Sequence, residues 1–265
     1  MSKVAIIGGG NLGSSIAEGL LSSGFVEAQD LYVTRRKTAL LEDLQNKGVH
    51  VMSDNIKAVQ SADYIILAIK PFQVSEMIAH ILPVLDEKKH TLISVATGVW
   101  IKDLTGMAGE RLPIVRAMPN TAIAIRESMT CLCMHNVSAE QQRYVCDLFN
   151  QLGKSIEIDE SLMDAATVLG ACGTGFALRY IRATIQGGVE IGFNAKVAAV
   201  IAAQTVKGAA DLLLQHHTHP EEEIDKVTTP KGCTIAGLNE MEHRGLSSSV
   251  IRGITTSYKR IVEKM

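Results

Sequence analysis

The sequence predicts an α/β chain in two parts: a mainly parallel sheet covered by helices over residues 1–159, and an all-helical remainder over residues 160–265. Three observations carry this. The chain opens on a short apolar run that passes through glycines into an amphipathic helical pattern. Strand and helix patterns then alternate as far as Asp159. Beyond it helical periodicity continues and no convincing strand pattern returns. Strands alternating with helices build a parallel sheet covered on both faces, because a parallel crossover needs about a helix's length of chain.

Length and composition bound the function. At 265 residues there is room for two domains, and 46% apolar against 20% charged residues gives a globular chain with a sizeable core. A net charge of −2 leaves no basic excess, so nucleic acid is not an expected partner. The cysteines (Cys131, Cys133, Cys146, Cys172 and Cys233) are scattered and form no C-x-x-C pair. They read as reduced thiols of a cytoplasmic protein, not as a disulfide framework or a zinc site. No signal peptide is expected, because the apolar run after Lys3 ends in glycines within a few residues. The longest later apolar run, Val197 to Ala203, is too short to span a bilayer, so no membrane is expected either.

Val4-Ala5-Ile6-Ile7, apolar and rich in β-branched side chains, predicts the first buried strand. It runs into Gly8-Gly9-Gly10-Asn11-Leu12-Gly13, a match to G-x-G-x-x-G. Leu12, Ile16 and Leu20 then recur every four residues on one helix face. Gly8 permits the tight turn, and Gly10 lets the backbone approach a pyrophosphate. Gly13, with Ala17 one turn on, lets the helix pack close to the strand. The helix start at Asn11 and Leu12 offers free N–H groups and partial positive charge to phosphates. This is the opening of a Rossmann dinucleotide-binding domain.

Leu31 to Thr34 is the second strand, a helix with Leu40, Leu41 and Leu44 stops at Gly48, and Val49 to Met52 is the third strand. Tyr64 to Ile69 is nearly continuous in apolar residues, as a central parallel strand should be. A helix with Val74, Met77, Ile78 and Ile81 follows, then strands at Thr91 to Val95 and Ile114 to Ala117. Met129 to Met134 and Ser155 to Ile158 are expected as edge strands, with a helix from Ser138 to Leu152 between them. In the second part Ser161 opens a helix, and another carries Leu178, Ile181, Ile185 and Val189. Asn194 N-caps a long helix reaching about Gln215, Pro220 starts a shorter one, and the last runs from about Ser248. Val197 to Ala203 and Val206 to Ala210 are small and apolar all round, so their helix is expected to be buried against a second subunit.

The residue ending the second strand usually reads the adenosine ribose. An Asp or Glu there accepts hydrogen bonds from both hydroxyls and repels a 2′-phosphate. Here Thr34 takes that place, followed by Arg35, Arg36 and Lys37. Without a carboxylate, and with three cations, the site favours NADPH, with NADH weaker, because a guanidinium meets a phosphate with two hydrogen bonds. Ligands sit outside the carboxyl ends of the strands, which assigns Asn55, Ala68-Ile69-Lys70-Pro71 and Ala96-Thr97-Gly98 to the cofactor wall. Lys70 at the strand end reads equally as a partner for a ribose hydroxyl or the substrate and as a surface charge, and Pro71 fixes a sharp strand exit.

Arg116-Ala117-Met118-Pro119-Asn120-Thr121 ends another strand on the same side. Thr228 to Leu238 is a Pro/Gly loop leading into a helix near Thr234. Free N–H groups of Gly232, Cys233 and Thr234 at that helix start make a carboxylate site. The order and spacing of Gly8-x-Gly10-x-x-Gly13, Asn55, Ala68-Ile69-Lys70-Pro71, Met118-Pro119-Asn120-Thr121 and Pro230-x-Gly232-x-Thr234 resemble the Δ1-pyrroline-5-carboxylate reductase family over nearly the full chain. The resemblance implies hydride donation by NADPH or NADH, a helical dimerisation domain, and self-association as a homodimer or higher oligomer. It implies an imino-acid substrate near Asn120, Lys231, Gly232, Cys233 and Thr234, with the Thr234 hydroxyl close to the ring nitrogen.

Two departures stand out. Lys231 replaces the first glycine of the family's Pro-Gly-Gly-x-Thr loop, and lysine disfavours a positive φ. Gly170-Ala171-Cys172-Gly173-Thr174-Gly175-Phe176 stands where the family has Ser-Gly-Ser-Gly-Pro-Ala-Tyr, losing the proline and the tyrosine hydroxyl.

A protonated imine is already electrophilic, so reducing it needs orientation, worth roughly 7–11 kcal/mol at best, and no strong base, metal or nucleophile. The sequence has no convincing acid–base constellation, which fits. The expected activity is NADPH-dependent reduction of 1-pyrroline-5-carboxylate to L-proline, the last step of proline biosynthesis. Its rivals are an NADP-dependent reductase of another cyclic imine or a 3-hydroxyacid, and a non-catalytic NADP(H)-sensing protein. The hydroxyacid reading would need Lys196 or Lys207 as its acid–base group. Thr234 could also serve as a helix N-cap. His216-His217-x-His219 follows a long helix and reads as solvated histidines favoured by the dipole, not as a metal site.

Overall fold

Eight strands form one sheet: β1 Val4–Ile7, β2 Leu31–Thr34, β3 His50–Met52, β4 Tyr64–Leu67, β5 Thr91–Ser94, β6 Ile114–Met118, β7 Ser128–His135 and β8 Gly153–Glu157. The structure, a computed structural model, describes residues 2–263. Strand order is β3-β2-β1-β4-β5-β6-β7-β8. β1 to β6 run parallel in the doubly wound arrangement, whose switch point lies between β1 and β4. β7 is antiparallel to β6, pairing Met118 with Cys131, and β8 closes the edge parallel to β7. β3 and β8 are therefore the edge strands and β7 is internal; the expectation of an edge position for Met129 to Met134 is corrected. The link from β6 to β7 is too short for a parallel crossover, so the chain turns back beside β6.

Helices cover both faces. They are α1 Asn11–Ser23, α2 Glu42–Asn46, α3 Asn55–Ser61, α4 Val74–Ile81, α5 Ile101–Ala108 and α6 Ala139–Asn150. Alternate residues of each strand face opposite layers. Val4 and Ile6 pack with Ile16 and Leu20 of α1 and Val145 and Leu148 of α6. Ala5 and Ile7 pack with Val59 of α3, Ile78 of α4 and Leu104 of α5. α3 and α5 went unread in the sequence. α3 is started by Asp54, whose carboxylate accepts from the Lys57 N–H at 3.0 Å.

After β8 the described residues hold helices only. α7 Met163–Ala166 passes through a π-helical turn, Thr167–Cys172, into α8 Gly173–Glu190. The chain divides into two units there, the first running to Ala171 and the second spanning Cys172–Glu263. α9 Ala195–His216, α10 Pro220–Val227, α11 Cys233–His243 and α12 Leu246–Val262 complete the second unit. Asn194 caps α9, accepting from the Val197 N–H at 3.0 Å, as its sequence position suggested. α12 begins two residues before the expected Ser248, directly after Gly245 at φ 79.

α8 and α9 pack closely: a Cβ on Gly188 would stand 3.1 Å from that of Ala198. On the other sides of α9, Val197, Val200, Ile201 and Leu214 remain exposed in the single chain. Taken as whole helices, Glu160–Glu190 and Ala195–His216 are long and apolar enough to cross a bilayer. This corrects the reading from Val197 to Ala203 alone, which counted an apolar run where helix length matters. All five cysteines are free thiols, and burial pushes the Cys131, Cys133 and Cys146 thiols up from their ordinary pKa.

Candidate functional site

A cleft of about 1040 Å³ opens at the carboxyl ends of the strands around the β1/β4 switch point. It takes in Gly8, Gly10, Asn11 and Leu12 at the start of α1, and Arg35 and Arg36 after β2. Asn55 at the start of α3 and Ala68 and Lys70 after β4 complete the expected set there. Four other expected residues stand outside its lining. Gly13 lies beneath the loop, Pro71 opens a 3₁₀ turn, Ala96 is buried after β5, and Gly98 sits in an exposed turn at φ 75.

The cleft also has walls the sequence reading missed: Ser53, beyond the end of β3, and Gln73, Glu76, Met77 and His80. The signal for the last three is helical spacing on α4. Glu76 and His80 are one turn apart, and Met77 lies between them, a turn beyond Gln73.

Backbone geometry accounts for the glycines. Gly8 adopts φ 109, and a Cβ there would come within 2.5 Å of the Ala68 carbonyl oxygen. A Cβ on Gly13 would overlap the Gly8 carbonyl oxygen, so only glycine lets α1 sit this close. Gly10 differs: a Cβ there would meet nothing within 4 Å, because that side faces the cleft. Gly10 is also the N-cap of α1, with no side-chain capping bond. The first N–H groups of the helix are thus unclaimed and present a positive end to an anion. The Thr34 carbonyl accepts from Gly8 at 3.2 Å and Gly9 at 2.7 Å, tying the loop to β2. Arg35 Nη1 donates to the Gly9 carbonyl at 2.7 Å, while Arg36 is exposed.

Further along the sheet a buried ion pair went unread in the sequence. Arg116 of β6 is 2% exposed, and its Nη1 meets Glu160 Oε1 at 2.6 Å. The same oxygen accepts from the Ile101 N–H at 2.6 Å, and the guanidinium lies 5.2 Å from the Trp100 ring centroid. Asn120 uses both of its side-chain polar atoms inside the chain. Oδ1 accepts from the Ala122 N–H at 3.0 Å, and Nδ2 donates to the Gly170 carbonyl at 3.4 Å, within the π-helical turn.

The Pro/Gly loop belongs to the second unit. Gly232 N–H donates to the Thr229 carbonyl at 2.8 Å, closing a turn with Pro230 second and Lys231 third at φ 62. That is the type II pattern, whose third position favours glycine, so Lys231 does adopt the conformation lysine disfavours. A Cβ on Gly232 would stand 2.6 Å from Thr229 Oγ1. Gly232 is the N-cap of α11. Its own N–H is therefore not free for a carboxylate, which corrects the sequence reading: the open donors begin at Cys233 and Thr234. Thr234 stands at the second helical position, not the cap, and among the described residues its hydroxyl makes no hydrogen bond.

Lys196 is exposed, and Lys207 pairs with Asp211 at 2.6 Å one helical turn away. His219 caps α10 through Nδ1, 3.2 Å from the Glu221 nitrogen.

A doubly wound sheet with an uncapped helix start over its switch-point cleft, in a chain that continues as a helical unit, defines a two-part pyridine-nucleotide oxidoreductase. Family models agree: residues 3–98 match "NADP oxidoreductase coenzyme F420-dependent", and residues 160–264 match "pyrroline-5-carboxylate reductase dimerisation". Pyrroline-5-carboxylate reductase 2 of Dictyostelium discoideum is 42% identical, over 97% of this chain and 91% of that protein. Pyrroline-5-carboxylate reductase 1 of the same organism is 45% identical over 96% of this chain, which spans 48% of that protein's length. The crystal structure of Plasmodium falciparum pyrroline carboxylate reductase with NADP bound is 27% identical, with a TM-score of 0.87 over 98% of this chain and 97% of that one. The chain belongs to the pyrroline-5-carboxylate reductase family.

Proposed function

We propose that this chain reduces the C=N bond of 1-pyrroline-5-carboxylate to give L-proline, with NADPH as preferred donor and NADH as a weaker one. The observation that carries the reading is the cleft in which the uncapped start of α1 and the free Arg36 open together, in a chain of this family. The bound dinucleotide supplies the hydride. The protein's part is to bind and orient. Gly8, Gly10, Asn11, Leu12 and Gly13 shape the pyrophosphate seat, Arg35 and Arg36 line the 2′-phosphate end, and Asn55, Ala68, Lys70, Pro71, Ala96 and Gly98 serve the rest of the wall. N–H groups at Cys233 and Thr234 bind the substrate carboxylate beside Gly232 and Lys231, and the Thr234 hydroxyl, free of other bonds, holds the ring nitrogen. Asn120 acts on the substrate side by holding the Gly170 carbonyl in place.

The same reading covers the helical part, from residue 160 onward. Its exposed Val197, Val200, Ile201 and Leu214 are covered by a second copy, which accounts for apolar helices without a bilayer. The protein acts in the cytoplasm as a homodimer or a multiple of it.

Following NADPH absorbance with and without the imine tests the activity. Imine-dependent oxidation of NADPH, slower with NADH, is expected. Binding without turnover would favour the sensing reading, and turnover only with a 3-hydroxyacid pair would favour the dehydrogenase reading. Sedimentation at micromolar concentration should give a dimer or larger; a monomer refutes the assembly.

A further inference from the structure

We infer that Arg35 and Arg36 divide two tasks: Arg36 selects for the 2′-phosphate, and Arg35 is a positioning residue that holds the glycine loop for either dinucleotide. The inference rests on the proposed NADPH site and assigns its specificity to one side chain of the basic turn.

Adjacent in sequence and both on the cleft, the two arginines are in different physical states. Arg35 is partly buried and stitched down at both ends. Its N–H donates to the Met52 carbonyl at 3.0 Å and its Nη1 to the Gly9 carbonyl at 2.7 Å. Ser14 Oγ reaches the same Gly9 oxygen at only 3.4 Å. Gly9 is confined on another side as well, since a Cβ there would stand 2.7 Å from Leu41 Cδ1. Together with the Gly8 and Gly9 N–H bonds to Thr34, these contacts set the course of the loop into α1. That loop aims the free N–H groups of Asn11 and Leu12. A pyrophosphate is common to NADPH and NADH, so loosening the loop weakens both alike.

Arg36 is exposed and makes no hydrogen bond within the described residues. All five of its donors are available to an anion. The group it can serve, the 2′-phosphate, is present in only one of the two dinucleotides. Removing it weakens that one alone.

Equilibrium binding of NADPH and of NADH to the full chain, followed by fluorescence, separates the tasks in Arg35→Ala, Arg35→Lys and Arg36→Ala. Arg36→Ala should weaken NADPH by about tenfold or more and NADH by less than about twofold, the scale of a lost charge-assisted bond. Arg35→Ala should weaken both, with the ratio of the two affinities changing by less than about threefold. Arg35→Lys, which keeps one donor for Gly9, should retain more of both affinities than Arg35→Ala. An Arg35→Ala protein that loses NADPH binding alone, or an Arg36→Ala protein that loses both equally, overturns the division while leaving the cofactor site intact. Wild-type chain that binds neither dinucleotide overturns the cofactor reading and the division with it.

Discussion

Replacing Gly10 by alanine separates cofactor binding from folding. Gly10 has φ −80 and ψ −168, which alanine adopts without strain, and the new methyl would meet no protein atom within 4 Å. The unfolded chain loses freedom, a gain of about 0.4–1 kcal/mol, which is offset by alanine being a poorer N-cap than glycine. Stability should therefore change by less than about 1 kcal/mol, at most roughly 4 °C in Tm for a chain of this size. The methyl points into the cleft beside the uncapped N–H groups of α1. A phosphate oxygen on those groups sits about 2.8 Å from nitrogen, whereas a methyl carbon needs roughly 3.5 Å. The phosphate must retreat and give up one charge-assisted hydrogen bond of about 1.5–3 kcal/mol. That corresponds to about 10- to 150-fold weaker binding of NADPH and NADH alike. Thermal unfolding of the apo chain and a fluorescence titration with NADPH read the two effects separately. Unchanged affinity, or an apo Tm lowered by more than roughly 4 °C, would refute the reasoning. Gly13→Ala is the contrast: its methyl would overlap the Gly8 carbonyl, so it should lower the Tm itself.

Thr234→Ala should lower kcat/KM for the imine by one to two powers of ten, since a hydrogen bond to a charged group is worth about 1.5–3 kcal/mol. Thr234→Ser should keep most activity and NADPH affinity should not move; normal imine kinetics in the alanine variant would deny the hydroxyl its role. Lys231→Gly relieves the positive φ but frees the unfolded chain, a net gain of about 0.5 kcal/mol by thermal unfolding. Any rise in KM for the imine in that variant measures what the lysine charge contributes to the carboxylate, and an unchanged KM would reject a binding role for it. Glu160→Ala strands the buried Arg116 guanidinium and should cost about 3 kcal/mol, near the low end for breaking a buried pair because Glu160 is partly exposed. The corresponding loss of roughly 6–12 °C in Tm should be smaller for Glu160→Gln, which keeps an acceptor for Ile101; equal Tm values for wild type and Glu160→Ala would show that the pair does not stabilise the fold.

The sequence by itself determined the features that depend on neighbours in the chain. Gly13 announces a loop with no room for a side chain, because the clash is with the Gly8 carbonyl a few residues back. Alternating patterns announce the parallel sheet, because strand and helix periods are local properties of the backbone. Asn194 announces its helix, because a cap bonds three residues ahead. The run Thr34-Arg35-Arg36-Lys37 announces a basic turn after β2, and Arg35 and Arg36 line the cleft there.

Tertiary structure alone decided what depends on atoms distant in sequence or on the direction of a single bond. Arg35 and Arg36 are indistinguishable in a sequence, and only the Gly9 carbonyl, 26 positions away, separates them. Arg116 and Glu160 are 44 positions apart, and nothing local marks them as partners. The Gly232 N–H looks available at a helix start until the turn back to Thr229 claims it, and the Thr234 hydroxyl looks like a cap until the helix begins one residue earlier. A periodic pattern specifies which face of an element is buried. It carries no information about which carbonyl a particular donor will meet, because that is set by how the elements pack.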